Sequence, residues 1–227
     1  MVVTRSSAAS ITARSLPQTK TWSHTPSPLF LLWLCISLPL VMWDFTYVFL
    51  RPHSMPGGKW HLPWTPYSIY CEVDLVYGFK HYEDGEGFNP AQSTLNILET
   101  AMYLYYLYLV RNYRGVQKKG EHVGIFGERK MYGKDAAKAV LWGLVPCVAT
   151  FWKTVLYWLQ EILGQYKNIG HNSPNVLFWF WIVPNSPWMI LPGYMIYIFG
   201  KEIVDGLAIA SMEAESNGIA NGVTKEE

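Results

Sequence analysis

Four stretches of this chain run almost without charge for the length of a membrane span, about 20 mostly apolar residues, and that pattern governs what the chain can fold into. They lie at 29–50 (LFLLWLCISLPLVMWDFTYVFL), 90–110, 139–161 and 176–200. Hydrocarbon offers no water to backbone N–H and C=O groups, so each stretch must satisfy them internally as a helix. Composition agrees: of 227 residues, 50% are hydrophobic, 16% aromatic and only 15% charged, against about a quarter charged in soluble domains. A net charge of +1 gives no electrostatic footprint for nucleic acid. Cys35, Cys71 and Cys147 form neither a disulfide framework nor a zinc motif. The expected fold is an all-α integral membrane protein, a bundle of four transmembrane helices.

Residues 1–28 are Ser/Thr-rich and carry Arg5, Arg14 and Lys20 without an acid. They resemble a targeting peptide, yet no cleavable apolar core follows at signal-peptide length, so a disordered cytosolic tail is expected. The transmembrane domain is expected over 29–202, with a lumenal loop at 51–89 and a small, acidic, disordered cytosolic tail at 203–227. With both termini cytosolic, thirteen of the 18 Lys and Arg fall on the cytosolic side, four on the other, and Lys153 within a span. The excess of positive charge in cytoplasmic segments supports that orientation. In the second span Asn89 suits a cap, Pro90 the first turn and Gln92 a capping box. In the fourth, Pro184, Pro187 and Pro192 remove backbone donors and predict a kinked helix.

Polar residues recur within the spans at helical spacing, which places each set on one face. The sets are Ser37, Asp44 and Tyr47; Gln92, Asn96, Glu99, Tyr103 and Tyr106; Thr150, Lys153 and Tyr157; and Trp181, Asn185 and Trp188. Counting from the non-cytosolic helix ends, Asp44, Glu99, Lys153 and Asn185 all fall roughly 9–14 Å below that surface at 1.5 Å per residue. Two carboxyls, an ammonium and an amide therefore share one level. Ionised side chains in hydrocarbon cost at least ~2.5–3.5 kcal/mol and must find partners in the bundle interior. One acid kept protonated beside one kept ionised is what proton-shuttling chemistry requires. The competing reading is structural: Glu99 and Lys153 as a buried ion pair, with Asn185 as interhelical glue. Tyr103, Tyr157 and Trp181 read first as packing, while Trp188, one turn from Asn185, is placed to face a cation.

The loop 51–89, rich in Trp, Tyr, Pro and Gly, suits either a lid with Glu72 and Asp74 near its mouth or an interfacial aromatic belt. His53, His61, His81 and His171 lack ligand spacing, so neither metal nor cofactor is expected. There is no Walker loop, nucleophile elbow or dinucleotide fingerprint.

The run LFWFWIVPNSPWMILPG at 177–193 resembles the last catalytic helix of the emopamil-binding-protein family, through Asn185, Trp188 and Leu191-Pro192-Gly193. NILETAMYL at 96–104 resembles that family's Glu-Thr motif, at Glu99 and Thr100, and TVLYWLQE at 154–161 its third-helix segment ending in Glu. Asp44 matches the acid of the wider EXPERA family, in the manner of its sigma-two-receptor branch. Leu40 stands where the isomerases carry His, and Lys153 where they have a small residue. The resemblance covers roughly residues 29–202. It implies an endoplasmic reticulum membrane protein of four or five helices, often a homodimer, with a cavity for sterols or lipophilic amines.

Three functions are consistent with this. The first is an isomerase moving a double bond in a sterol or related terpenoid, with Glu99 as the main acid/base, Asp44 as the second carboxyl, and Asn185 and Trp188 supporting the intermediate. Thr100, Tyr103, Lys153, Tyr157 and Trp181 would then line the substrate site. The second is a sterol-, lipid- or amine-binding protein without turnover. The third is a specialised-metabolite enzyme acting on another terpenoid or a polyketide.

Overall fold

The computed structural model describes residues 21–114 and 130–223, with side chains described through 216. Residues 1–20 of the tail expected at 1–28 lie outside those residues. So does part of the basic connection at 115–129.

The protein is mostly helical. The first long helix, α1, spans Pro28–Phe49; Ser27 caps it by accepting from the Phe30 N–H at 3.4 Å, with Pro28 in the first turn. A compact segment follows, containing α2 (Tyr67–Val73) and α3 (Phe79–Glu83) with single helical turns at Leu62–Trp64 and Leu75–Tyr77. Then come α4 (Phe88–Asn112) and α5 (Gly133–Leu163). The last stretch is broken: α6 (Pro174–Leu177), a π-helical turn (Phe178–Ile182), α7 (Val183–Asn185) and α8 (Pro187–Val223). Helices α1 and α5 are long and apolar enough to cross a membrane. Helix α4 packs between α1 and α5, and α5 packs on α8, whereas α1 touches α8 only sparingly.

Three local features differ from the sequence expectations. Asn89 is not a cap, because α4 begins at Phe88; its side-chain amide donates instead to the Val76 carbonyl at 3.2 Å, tying the helix start to the preceding segment. The tail before α1 is ordered from residue 21, where Ser23–His24 (β1) pairs antiparallel with Met131–Tyr132 (β2). The pairing is anchored by His24, which bonds the Glu202 carboxylate at 2.7 Å, and by Trp22, which donates to the Glu202 carbonyl at 2.8 Å. Finally, α8 runs well past the expected boundary at 202, since Ala, Met, Glu and Leu after Asp205 are good helix formers.

The core divides by height. Phe30, Leu34, Tyr106, Val140, Met195 and Phe199 fill the end nearest β1 and β2. Tyr47, Met55, Trp64 and Tyr67 fill the other end beneath the 51–87 segment, with the Tyr47 and Tyr67 rings stacked 3.9 Å apart. Outward faces carry large exposed apolar side chains, among them Leu32, Ile36, Leu98, Trp152, Leu156 and Ile190. Helices α5 and α8 approach closely at Gly143, where an added Cβ would lie 2.4 Å from the buried Phe199 ring. Gly143→Val is therefore expected to destabilise the protein by about 1–3 kcal/mol through overpacking, read as a lower thermal midpoint in detergent.

Candidate functional site

Between the helices and the 51–87 segment lies a cavity of about 440 Å³. Its floor and walls come from α1 (Leu40, Val41, Asp44), α4 (Gln92, Asn96) and α5 (Lys153, Thr154, Tyr157). The last helical stretch contributes Phe180, Pro184, Asn185 and Trp188, and the cap contributes Tyr67, Tyr70 and Tyr77. The 51–87 segment therefore covers the cavity. It is held down from several sides: Trp43 donates to the Pro63 carbonyl and Trp64 to the Trp43 carbonyl, both at 2.9 Å. The turn after α5 braces it as well, with Asn172 donating to the Val73 carbonyl at 2.8 Å. Glu161 in turn holds that loop by accepting from the Asn168 side chain at 2.6 Å.

Ionic groups meet on the α4–α5 wall. The Lys153 ammonium donates to Glu99 Oε2 at 2.7 Å and to Asn96 Oδ1. Thr150 donates to the same Glu99 oxygen at 2.8 Å, and Tyr103, 3.1 Å away, donates to Thr150, whose own hydrogen is engaged. Glu99 is thus buried behind Lys153. Instead of lining the large cavity, it borders a void of about 20 Å³ with Ser37, Thr100, Tyr103, Thr150 and Trp188. That volume suits roughly one water among polar partners. Asp44, from α1, is the carboxyl on the large cavity wall, and the Tyr67 hydroxyl of the cap donates to it.

The broken last stretch explains how Asn185 reaches the cavity. Pro184 and Pro187 cannot donate one turn back to the carbonyls of Phe180 and Val183, and the chain loosens into a π-helical turn. Asn185 adds a side-chain bond to Trp181 O and Ser186 one to Ile182 O, both at 2.7 Å, the latter carbonyl also accepting the Ser186 backbone N–H at 2.9 Å. Trp188 packs edge-on against Trp33, ring centres 5.0 Å apart, and borders both cavities. Trp181 lines neither; it packs against Tyr157 and Trp158.

In sequence, Asp74 falls with Glu72 near the mouth of an expected lid, with a partner evident for neither. It lies in the cap, fully buried, while neighbouring Glu72 is exposed. It accepts from the Tyr157 hydroxyl, from the Trp181 indole at 3.0 Å and from the Val76 N–H at 3.1 Å. It therefore locks the cap onto α5 and the π-helical turn. The available signal was an acid flanked on both sides by apolar residues, Val73 and Leu75, in CEVDLVYG. Burial pushes its carboxyl up from 3.8 to about 6, although those three donors hold it down. Burial likewise raises the Tyr67, Tyr70 and Tyr77 hydroxyls, which stay protonated donors above the cavity.

Between the two Asp74 values the folded protein retains a proton that the unfolded chain has lost, so stability falls as pH rises from 3.8 towards about 6. The loss from this group is on the order of 3 kcal/mol. Asp74→Asn is expected to abolish that decline, measured as thermal unfolding on either side of the transition.

The fold and the site together define a mostly helical protein, with two helices long and apolar enough to cross a membrane, built around an aromatic cavity with an ionic wall. No protein-family model matches the chain, and no curated protein matches it by sequence.

Proposed function

We propose that the chain is a membrane-embedded isomerase of EXPERA-like architecture, shifting a carbon–carbon double bond in a sterol or related terpenoid by proton removal and return. One observation carries this reading: Asp44, Lys153 and Asn185 stand on the wall of one largely apolar cavity, with Glu99 bonded to Lys153 behind it. Asp44 exchanges protons with the substrate, and Glu99 sets the charge of Lys153 and serves as the second carboxyl. Asn185 and Trp188 position the ring system. The outward apolar faces of α1, α4, α5 and α8 support four spans, read as lying in the endoplasmic reticulum membrane with both termini cytosolic.

A second reading, a sterol- or amine-binding protein without turnover, draws on Leu40. It lines the cavity one turn before Asp44, where the resembling isomerases carry a His that could relay protons. The test uses full-length protein in liposomes, offered a Δ8 sterol and a β,γ-unsaturated steroid ketone, with products resolved by mass spectrometry and NMR. A double-bond isomer is expected from the wild type and not from Glu99→Gln. Saturable binding without product favours the second reading and sinks the first, whereas turnover indifferent to Glu99→Gln removes Glu99 from the chemistry.

A further inference from the structure

The α4–α5 wall carries an excess of hydrogen-bond donors. Lys153 has three N–H bonds, and two are engaged by Glu99 and Asn96. Asn96 accepts through its oxygen, which leaves its amide hydrogens available one turn from Gln92. The Gln92 amide nitrogen is itself buried without a partner. All three side chains line the cavity. A buried donor left unpaired costs about 1–3 kcal/mol, so this wall is built to receive an acceptor oxygen. The rest of the cavity is suited to a hydrocarbon skeleton, through Leu40, Val41, Ile69, Phe180 and Pro184.

We infer that the substrate is an unsaturated ketone on a steroid or terpenoid skeleton, with its carbonyl oxygen on Lys153, Asn96 and Gln92, and that the double bond moves through a dienolate. The inference rests on the isomerase reading and narrows it. The Asp44 carboxylate removes the proton from the carbon between C=O and C=C. The C–H electron pair becomes the new C=C and charge accumulates on the carbonyl oxygen. Lys153 keeps its proton and stabilises that oxyanion, as positioned donors do where charge develops. Asp44 then returns the proton to the far end of the original double bond. One C–H bond breaks and one forms, with no net redox change. A carbocation, by contrast, would develop beside the Lys153 ammonium and be repelled by it.

The experiment uses full-length protein in liposomes and compares a β,γ-unsaturated steroid ketone with a Δ8 sterol lacking the carbonyl. Conversion of the ketone to its conjugated isomer is followed by the absorbance of the enone. Binding of a phenolic steroid, whose oxygen mimics the dienolate, is measured beside it. Wild type is expected to isomerise the ketone and not the sterol. In the charge-balanced double variant Lys153→Met with Glu99→Gln, turnover of the ketone is expected to fall by roughly 100-fold or more, the effect of losing an oxyanion donor. The phenol should bind that variant at least about tenfold more weakly, while Lys153→Arg keeps much of both. Isomerisation of the Δ8 sterol alone overturns the ketone proposal and leaves the isomerase reading standing. Undiminished ketone turnover in the double variant also overturns the proposal. Failure of both substrates, with phenol binding intact, removes the isomerase reading as well.

Discussion

Lys153→Met is expected to cost about 3–5 kcal/mol of stability, because it leaves a buried carboxylate without its counter-charge. Glu99 is enclosed by Lys153, Thr150 and the residues of the small void, so water reaches it poorly. The pair itself is not a large net source of stability, since burying two charges offsets most of their attraction. That asymmetry has a consequence. Adding Glu99→Gln to Lys153→Met is expected to recover most of the loss, leaving a coupling energy of roughly 2 kcal/mol or more between the two sites. Chemical unfolding of the four proteins in one detergent gives the cycle. Additive losses would mean that the two side chains do not interact energetically.

The second large effect is on turnover. Asp44→Asn preserves shape but removes proton exchange at the cavity wall, and turnover is expected to fall by about 10²–10⁴-fold. Tyr67 can still donate to the amide oxygen, so the cap is expected to stay closed and ligand affinity to change only a few-fold. A loss of affinity matching the loss of turnover would assign Asp44 to binding instead of proton transfer.

The helical character of the chain and the meeting of its polar stripes were legible because apolar stretches and polar stripes repeat at helical spacing. Glu99 and Lys153, 54 residues apart, meet because each sits on the inward face of its helix at the same height. Depth reckoning did not distinguish a carboxyl on the cavity wall from one behind it, since that depends on which rotamer Lys153 adopts. The cap was less legible. Its short helices carry no sustained period, and Asp74 is fixed by Tyr157 and Trp181, which lie 83 and 107 residues away. The π-helical turn was foreshadowed by Pro184 and Pro187, but its widened spacing, with the Val183 N–H bonded to Phe178 O, has no pattern of its own in the sequence. The ordering of Trp22 to His24 depends on Glu202, beyond the reach of any local pattern.

The most direct measurement is photocrosslinking of the membrane-reconstituted protein with a photoreactive steroid ketone, mapping the adducts by mass spectrometry. Saturable labelling is expected on α1 near Leu40 to Asp44, on the cap at Tyr67 to Tyr77 and on the stretch from Phe180 to Trp188, all suppressed by unlabelled ketone. Labelling confined to the outward faces, at Trp152, Leu156 and Ile190, and unaffected by competitor, would contradict binding in the cavity.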